Sequence, residues 1–322
     1  MKDWKPTANL KALKLRAELY ALIRRFFAER GVLEVETPIL SQSGITDPNI
    51  ESFQLQFVGP KAGGGGQRWL RTSPEYPLKR MLAAGVGDCY ELGRVFRNGE
   101  AGRRHNPEFT MLEWYRIGST HHQLMDETAV LVKDALHLAG RRATVRDVSF
   151  RQLYHDSFGF DPLTVSEGEL RGPLVVFDID PTGLTRDDWL DLLMTHLIQP
   201  AIPANRILIV YDYPASQCAL AKIRPGDVPV AERFEVYVGS LELANGYHEL
   251  TDAAEQRERF GRDLGVRQKR ASVQPPVDER LLAALPKLPE CAGVALGVDR
   301  LLMAMLGSDR IADVLAFPFD RA

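Results

Sequence analysis

The chain has 322 residues, 45% of them hydrophobic, enough to bury a large core as one big domain or two ordinary ones. Charged residues make up 26% and the net charge is −3, so no overall basic character argues for tight nucleic-acid binding. Three scattered cysteines without a C-x-x-C argue against a disulfide framework or structural zinc site. The N-terminus lacks a signal-type apolar core, and no apolar run approaches the roughly 20 residues of a bilayer span, so the chain reads as soluble and cytoplasmic.

Residues Leu10 to Arg30 read as a helix. Leu15, Leu19, Leu22, Ile23 and Phe26 recur at helical spacing, and Gly31 is a natural terminator. VLEVETP then alternates as a strand halted at Pro38, with Leu33, Val35 and Thr37 on one side. Residues Ser52 to Leu70 read as a hairpin around GPKAGGGGQ, where four glycines, Gly63 to Gly66, make a linker-like tip. This is not a phosphate loop, because it lacks G-K-[ST] and opens no helix.

TSPEYPLKRMLAA, from Thr72 to Ala84, is a helix start with Ser73 as cap, Pro74 in the first helical position and Glu75 in the first turn. Glu75 either complements the helix dipole or supplies a carboxylate to the hairpin that follows. That hairpin, CYELGRVF then RNGEAGRRHNPEFTMLEWY, carries the densest chemistry. Alternation puts Glu91, Gly93, Val95 and Arg97 on one face of its first strand, and Phe109, Met111, Glu113 and Tyr115 on one face of its second. A cation suited to an anionic ligand thus sits close to a carboxylate suited to an amine.

A long helix follows from His121 to Leu138. Residues 141–200 read as a helical insertion without evident chemistry. His121, His122 and His196 have no partner at metal-ligand spacing such as H-E-x-x-H, which predicts surface or capping histidines. Strands return at ILIVYDYP and RFEVYVGSLELANGYHEL. Glu249 lies seven positions after Glu242, so an unbroken strand would separate them. A bulge at Asn245–Gly246 would restore their parity and let both carboxylates converge on a hard divalent cation. AEQRERFGRDLGVRQKRA is a charged helix. In CAGVALGVDRLLMAMLG a short strand, Val294 to Leu296, meets Gly297, and a helix begins near Val298. Arg300 in its first turn opposes the helix dipole unless an anion is present, and Gly293 and Gly297 allow close approach of a phosphate.

Taken in order, three segments resemble the signature motifs of class II aminoacyl-tRNA synthetases. RGVLEVETPIL is similar to motif 1, FRNGEAGRRHNPEFTMLEWY to motif 2 and GVALGVDRLLM to motif 3. TSPEYPLKR, RHNPEFTMLE and LELANGYHELTDAAEQRERF resemble the lysyl branch, and the match runs through nearly the whole chain. The resemblance implies an α+β fold, a mostly antiparallel sheet flanked by helices, in one catalytic domain over residues 1–322. Motif 1 begins almost at once, which leaves no room for the anticodon-binding barrel of lysyl-tRNA synthetases. The chain therefore looks most like their truncated relatives, the elongation factor P–lysine ligases.

That resemblance implies activation of (R)-β-lysine with ATP and transfer to a lysine ε-amine of elongation factor P. It implies a homodimer through motif 1, with no tRNA and no membrane. Arg97 and Arg300 would be catalytic, on the α-phosphate and the distal phosphates. Asn98, Gly99, Asn106, Glu242, Leu243 and Gly297 would complete the ATP site. Ser73, Pro74, Glu75, Glu113, Tyr115, Glu249 and Ala295 would line the amino-acid pocket, and Glu242 with Glu249 would hold Mg2+. Two departures stand out. Ala295 replaces a usual Gly, which suits a β-amino acid. Gly99 replaces a usual Glu, which Glu100 could supply by a loop shift. The rival readings are a truncated synthetase acylating a tRNA or small acceptor, and a non-catalytic binding paralogue. The second of these predicts erosion of Arg97, Arg300 or Glu242, and all three are present.

Overall fold

The computed structural model describes residues 4–59 and 66–322. The tip expected at Gly63 to Gly66 therefore lies mostly outside the described residues. Helix α1 (Leu10–Ala28) starts where the Asn9 side chain accepts a hydrogen bond from Ala12 N, and it buries Leu15, Leu19, Leu22, Ile23 and Phe26. The strand expected over VLEVETP is a paired strand only at β1 (Leu33–Glu34). Next come β2 (Leu40–Ser41), β3 (Gln54–Gln56) and β4 (Gln67–Leu70), a small separate sheet in the order β2-β4-β3 that includes the expected hairpin.

Helix α2 (Glu75–Ala83) precedes β5 (Cys89–Phe96), β6 (Glu108–Ile117) and α3 (His121–Leu138). The stretch read as a helical insertion opens instead with a strand, β7 (Thr144–Ser149), that pairs in parallel with β8 (Arg206–Pro214). Its period-2 signal is weak because the strand is short and mostly exposed at the sheet edge. Between β7 and β8 lie α4 (Phe150–Phe158), α5 (Glu167–Arg171), α6 (Arg186–Leu193) and the single turn α7 (Gln199–Ala201). The chain continues with β9 (Ile223–Arg224), β10 (Val230–Val238), β11 (Leu241–His248), α8 (Ala253–Lys269), α9 (Glu279–Ala284), β12 (Cys291–Gly297) and α10 (Val298–Leu306).

Among the described residues nine strands form the main sheet, ordered β1-β5-β6-β12-β11-β10-β8-β7 with β9 beside β10. Its central pairs are antiparallel. One face packs Leu112, Trp114, Ala244, Val294 and Leu296 against the apolar sides of α1, α3 and α10. By alternation the opposite face is free to be polar. Register sets a row across it: Glu91 opposite Glu113, Glu113 opposite Ala295, Ala295 opposite Asn245, Asn245 opposite Glu235.

The expected bulge is present but sits earlier. Val236 pairs with Ala244 and Tyr237 with Glu242, so Leu243 is the extra residue, while Asn245 and Gly246 pair regularly on both sides. Gly246 is needed for packing, since a Cβ there would meet the Phe234 ring at 2.5 Å.

Candidate active site

The polar face forms the floor of a cavity of about 1000 Å³, near the upper end of the range for small-molecule sites. Phe109, Met111, Glu113 and Tyr115, read from alternation as one face, all line it, together with Glu75, Arg97, Glu242, Glu249, Ala295, Gly297 and Arg300.

At one end three carboxylates surround one ammonium. The Lys79 side chain, 1% exposed, places Nζ 2.6 Å from Glu75 Oε1 and 2.6 Å from Glu249 Oε2. Glu113 accepts hydrogen bonds from Ser73 Oγ at 2.7 Å and Tyr115 Oη at 2.8 Å. Burial and the neighbouring Glu75 push the Glu113 carboxyl up to about 7. Burial likewise pushes Glu249 up to about 8, Lys79 opposing the shift and Glu75 adding to it. The two nearby carboxylates hold the Lys79 ammonium above its ordinary range despite its burial. Glu249 has this ion pair but no well-aligned hydrogen bond to either oxygen. Gly293 makes the arrangement possible: a Cβ there would lie 2.2 Å from the Tyr115 ring and 2.5 Å from Glu249 Oε1. Its close approach thus serves this pocket, not a phosphate as expected.

Ser73 donates to Glu113 while accepting from Glu75 N at 2.9 Å, so its hydroxyl both satisfies the first N–H of the helix and orients the carboxylate. The helix begins one residue later than expected, with Pro74 at the cap position. Pro74 is buried and is absent from the cavity lining. Farther along the floor, Tyr213 Oη and Arg233 bind Glu235, and Arg233 Nε donates to Asn245 Oδ1 at 3.1 Å.

The other end is cationic. Arg300 sits in the first turn of α10, where its Nη1 donates to Glu242 O at 3.0 Å and its Nη2 lies 2.6 Å from His105 Nε2. Burial and the Arg300 charge lower the His105 pKa, which suits a neutral ring accepting this bond. Arg97 is 3.7 Å from Glu100 Oε1, and its buried Nε has no hydrogen-bond partner. Gly99 has φ 83, a conformation that favours glycine, and Glu100 just after it lines the cavity. Asn98 and Gly99 themselves are exposed and absent from the lining. Asn106 lines the cavity, but its amide is engaged: Nδ2 donates to Glu108 O and Oδ1 accepts from Phe319 N.

Glu242 and Glu249 do not share one cation site. They stand at opposite ends of β11, roughly 20 Å apart at strand rise, Glu249 on Lys79 and Glu242 3.7 Å from Arg300. The bulge restores their parity but cannot shorten the strand between them.

The sequence reading missed Lys79, whose partner Glu249 is remote in sequence, although its i, i+4 relation to Glu75 was a visible signal. It also missed the buried pair Arg71–Glu91 at 2.6 Å, and Asp299, which accepts from Thr110 N at 2.7 Å and pairs with Arg16. The expectation for His121 is overturned: at 2% exposure it is neither a surface nor a capping residue.

The family profile described as tRNA synthetases class II (D, K and N) matches residues 2–321. The chain is 50% identical to a Vibrio cholerae protein named elongation factor P–(R)-β-lysine ligase, over 99% of each chain. Proteins of that name from Yersinia enterocolitica and Proteus mirabilis are each 48% identical, over 99% of this chain and 98% of theirs.

Proposed function

We propose that this chain, which belongs to the class II tRNA synthetases (D, K and N), activates (R)-β-lysine with ATP and passes it to a lysine ε-amine of elongation factor P. The chain is an enzyme of the ligase kind. The observation that carries the substrate class is the charge of the amino-acid pocket. Glu75, Glu113 and Glu249 against the single Lys79 leave a formal −2, which complements an amino acid bearing two ammonium groups. The names of the relatives supply the β-isomer and the protein acceptor.

In the first half-reaction the substrate carboxylate attacks the α-phosphorus and pyrophosphate leaves. Arg97 stabilises the charge that develops there, and Arg300 holds the distal phosphates, so catalysis is positioning and electrostatics without a protein nucleophile. Glu242, a half-buried carboxylate on the cavity wall beside Arg300, is an oxygen ligand of the kind that would hold a Mg2+. Such an ion would neutralise polyphosphate charge. Gly297 and Leu243 line the nucleotide end, and Ala295, between Glu113 and Asn245, faces the substrate carbon chain. In the second half-reaction the neutral amine of the acceptor lysine attacks the adenylate carbonyl and AMP leaves. Exposed Leu33, Ile39 and Leu40, in and beside β1 and β2, support a homodimer through this edge. We place the enzyme in the cytoplasm and expect no tRNA substrate. No described helix is long and apolar enough to cross a membrane.

ATP–pyrophosphate exchange with α-lysine and (R)-β-lysine in parallel, then mass spectrometry of elongation factor P, tests the reading. Preference for α-lysine, or no mass gain on the factor, overturns it.

A further inference from the structure

Away from the cavity, five metal-ligating side chains meet where the start of α3 packs on β8, β10 and β11. His121, 2% exposed, has neither ring nitrogen in a hydrogen bond, and its Nε2 stands 3.4 Å from Asp212 Oδ1, itself buried and unbonded. Among the described residues the ring thus has one long contact to Asp212 and no well-formed hydrogen bond, and burying polar atoms so poorly satisfied costs free energy. The donor atoms of His121, Glu232 and His248 all lie within 4.8 Å of one another, and so do those of His121, His122 and Asp212.

The backbone is bent to bring these carboxylates together. Asp212 has φ 58, and opposite it β10 carries an irregularity that sets Glu232 and Arg233 against that one residue. Arg224, with its side chain 42% exposed, now bridges Asp212 and Glu232. Glu232 Oε2 lies 2.5 Å from His248 Nδ1, Glu290 Oε2 lies 2.9 Å from His248 Nε2, and Lys222 pairs with Glu290 at 3.2 Å. The guanidinium thus supplies positive charge that a cation bound at Glu232 would replace.

We propose that this cluster is a binding site for a divalent transition metal of the zinc kind, held by His121, His248 and Glu232. Two imidazoles and a carboxylate are a zinc donor set rather than a magnesium one. Asp212, 3.4 Å from His121 Nε2, is a carboxylate beside the ring of the kind that orients metal-bound histidines as an outer partner. Zinc–ligand bonds of about 2.0–2.1 Å put tetrahedral donors ~3.3 Å apart, so binding opens the 2.5 Å contact between Glu232 and His248 and draws the ring of His121, whose donor lies within 4.8 Å of both, toward them. The ion would tie α3 to the two strands β10 and β11, and His248 immediately precedes Glu249 of the amino-acid pocket.

The test uses the full chain, stripped of metal with a chelator and dialysed. Zn2+ is titrated calorimetrically, and Co2+ is followed by its visible absorption. We expect one equivalent of Zn2+ with micromolar or tighter affinity, a four-coordinate cobalt spectrum and a higher thermal midpoint with metal. His121→Gln and His248→Gln should each weaken binding at least about tenfold, and His137→Gln, at the exposed end of α3, should not. Absence of saturable binding, or binding unchanged in both variants, overturns the site. Should His121→Gln not fold, His248→Gln and Glu232→Gln alter part-exposed residues and decide the matter in the same titration.

Discussion

Lys79 and Glu249 form an ion pair of 2.6 Å in which each side chain is only 1% exposed. A pair removed from water this completely is strengthened by the low local dielectric, but each charge costs several kcal/mol to desolvate. Glu75 and Glu113 then load the same space with two more carboxyls.

Substrate binding should therefore be linked to protons. With Glu113 near 7 and Glu249 near 8, the free pocket holds part of a proton load at neutral pH. A ligand with two ammonium groups favours the charged carboxylates and expels those protons. Affinity should rise with pH through about 7 to 8. Calorimetry in buffers of different ionisation enthalpy should show net proton release, and an enthalpy independent of the buffer would refute this.

Stability of the free enzyme should run the other way. Both folded carboxyls titrate above their ordinary 4.5, so the folded state binds more protons than the unfolded one. Their contribution is therefore full at pH values below about 4.5 and is lost as pH rises through about 7 to 8. Chemical denaturation across this range should show the decline in wild type and a smaller one in Glu249→Gln.

Lys79→Met leaves the buried carboxyls without their cation and should cost about 3–5 kcal/mol. Adding Glu249→Gln should recover part of that loss. A double-mutant cycle by denaturant unfolding measures the coupling, and strictly additive effects would mean that the pair contributes nothing.

Arg97→Ala should lower pyrophosphate exchange by about 10²–10³-fold, the range for losing a preorganised charge-stabilising donor. The melting temperature should hardly move, since among the described residues Arg97 Nε has no hydrogen-bond partner, its ion pair to Glu100 is 3.7 Å long and its contact with the Phe109 ring is 5.2 Å. Arg97→Lys should not rescue, because an ammonium lacks the planar fork. Equal losses in exchange and folding would reassign the residue to structure.

Ala295→Gly removes one methyl between Glu113 and Asn245. One such group in a pocket is worth roughly 1–3 kcal/mol of discrimination. The ratio of exchange rates should shift toward α-lysine by about tenfold or more, and an unchanged ratio would show that the methyl does not read the substrate. Gly293→Ala should abolish activation of both isomers, because its Cβ would overlap Tyr115 and Glu249.

What was legible in the sequence was local. The faces of β5 and β6 follow from a period of two, and Arg300 does stand in the first turn of its helix on the cavity wall. The Lys79–Glu249 pair was hidden because 170 positions of chain separate its members and only the sheet brings them together. The histidines were judged on spacing along one helix, whereas Glu232 and His248 reach His121 from two other strands. The shared magnesium failed on length: parity says which face a side chain takes, not how far along the strand it sits.

The extra residue at Leu243 is a phase switch within β11. Before it the odd-numbered positions pack inward, and after it the even-numbered ones do, as Leu241, Ala244 and Gly246 record. A single-codon deletion there would not nick the strand locally. It would turn one half over, sending either Glu242 or Asn245 and Tyr247 into the hydrocarbon layer. Homologous strands can thus be exchanged between such enzymes only with the reading frame of their side chains kept intact.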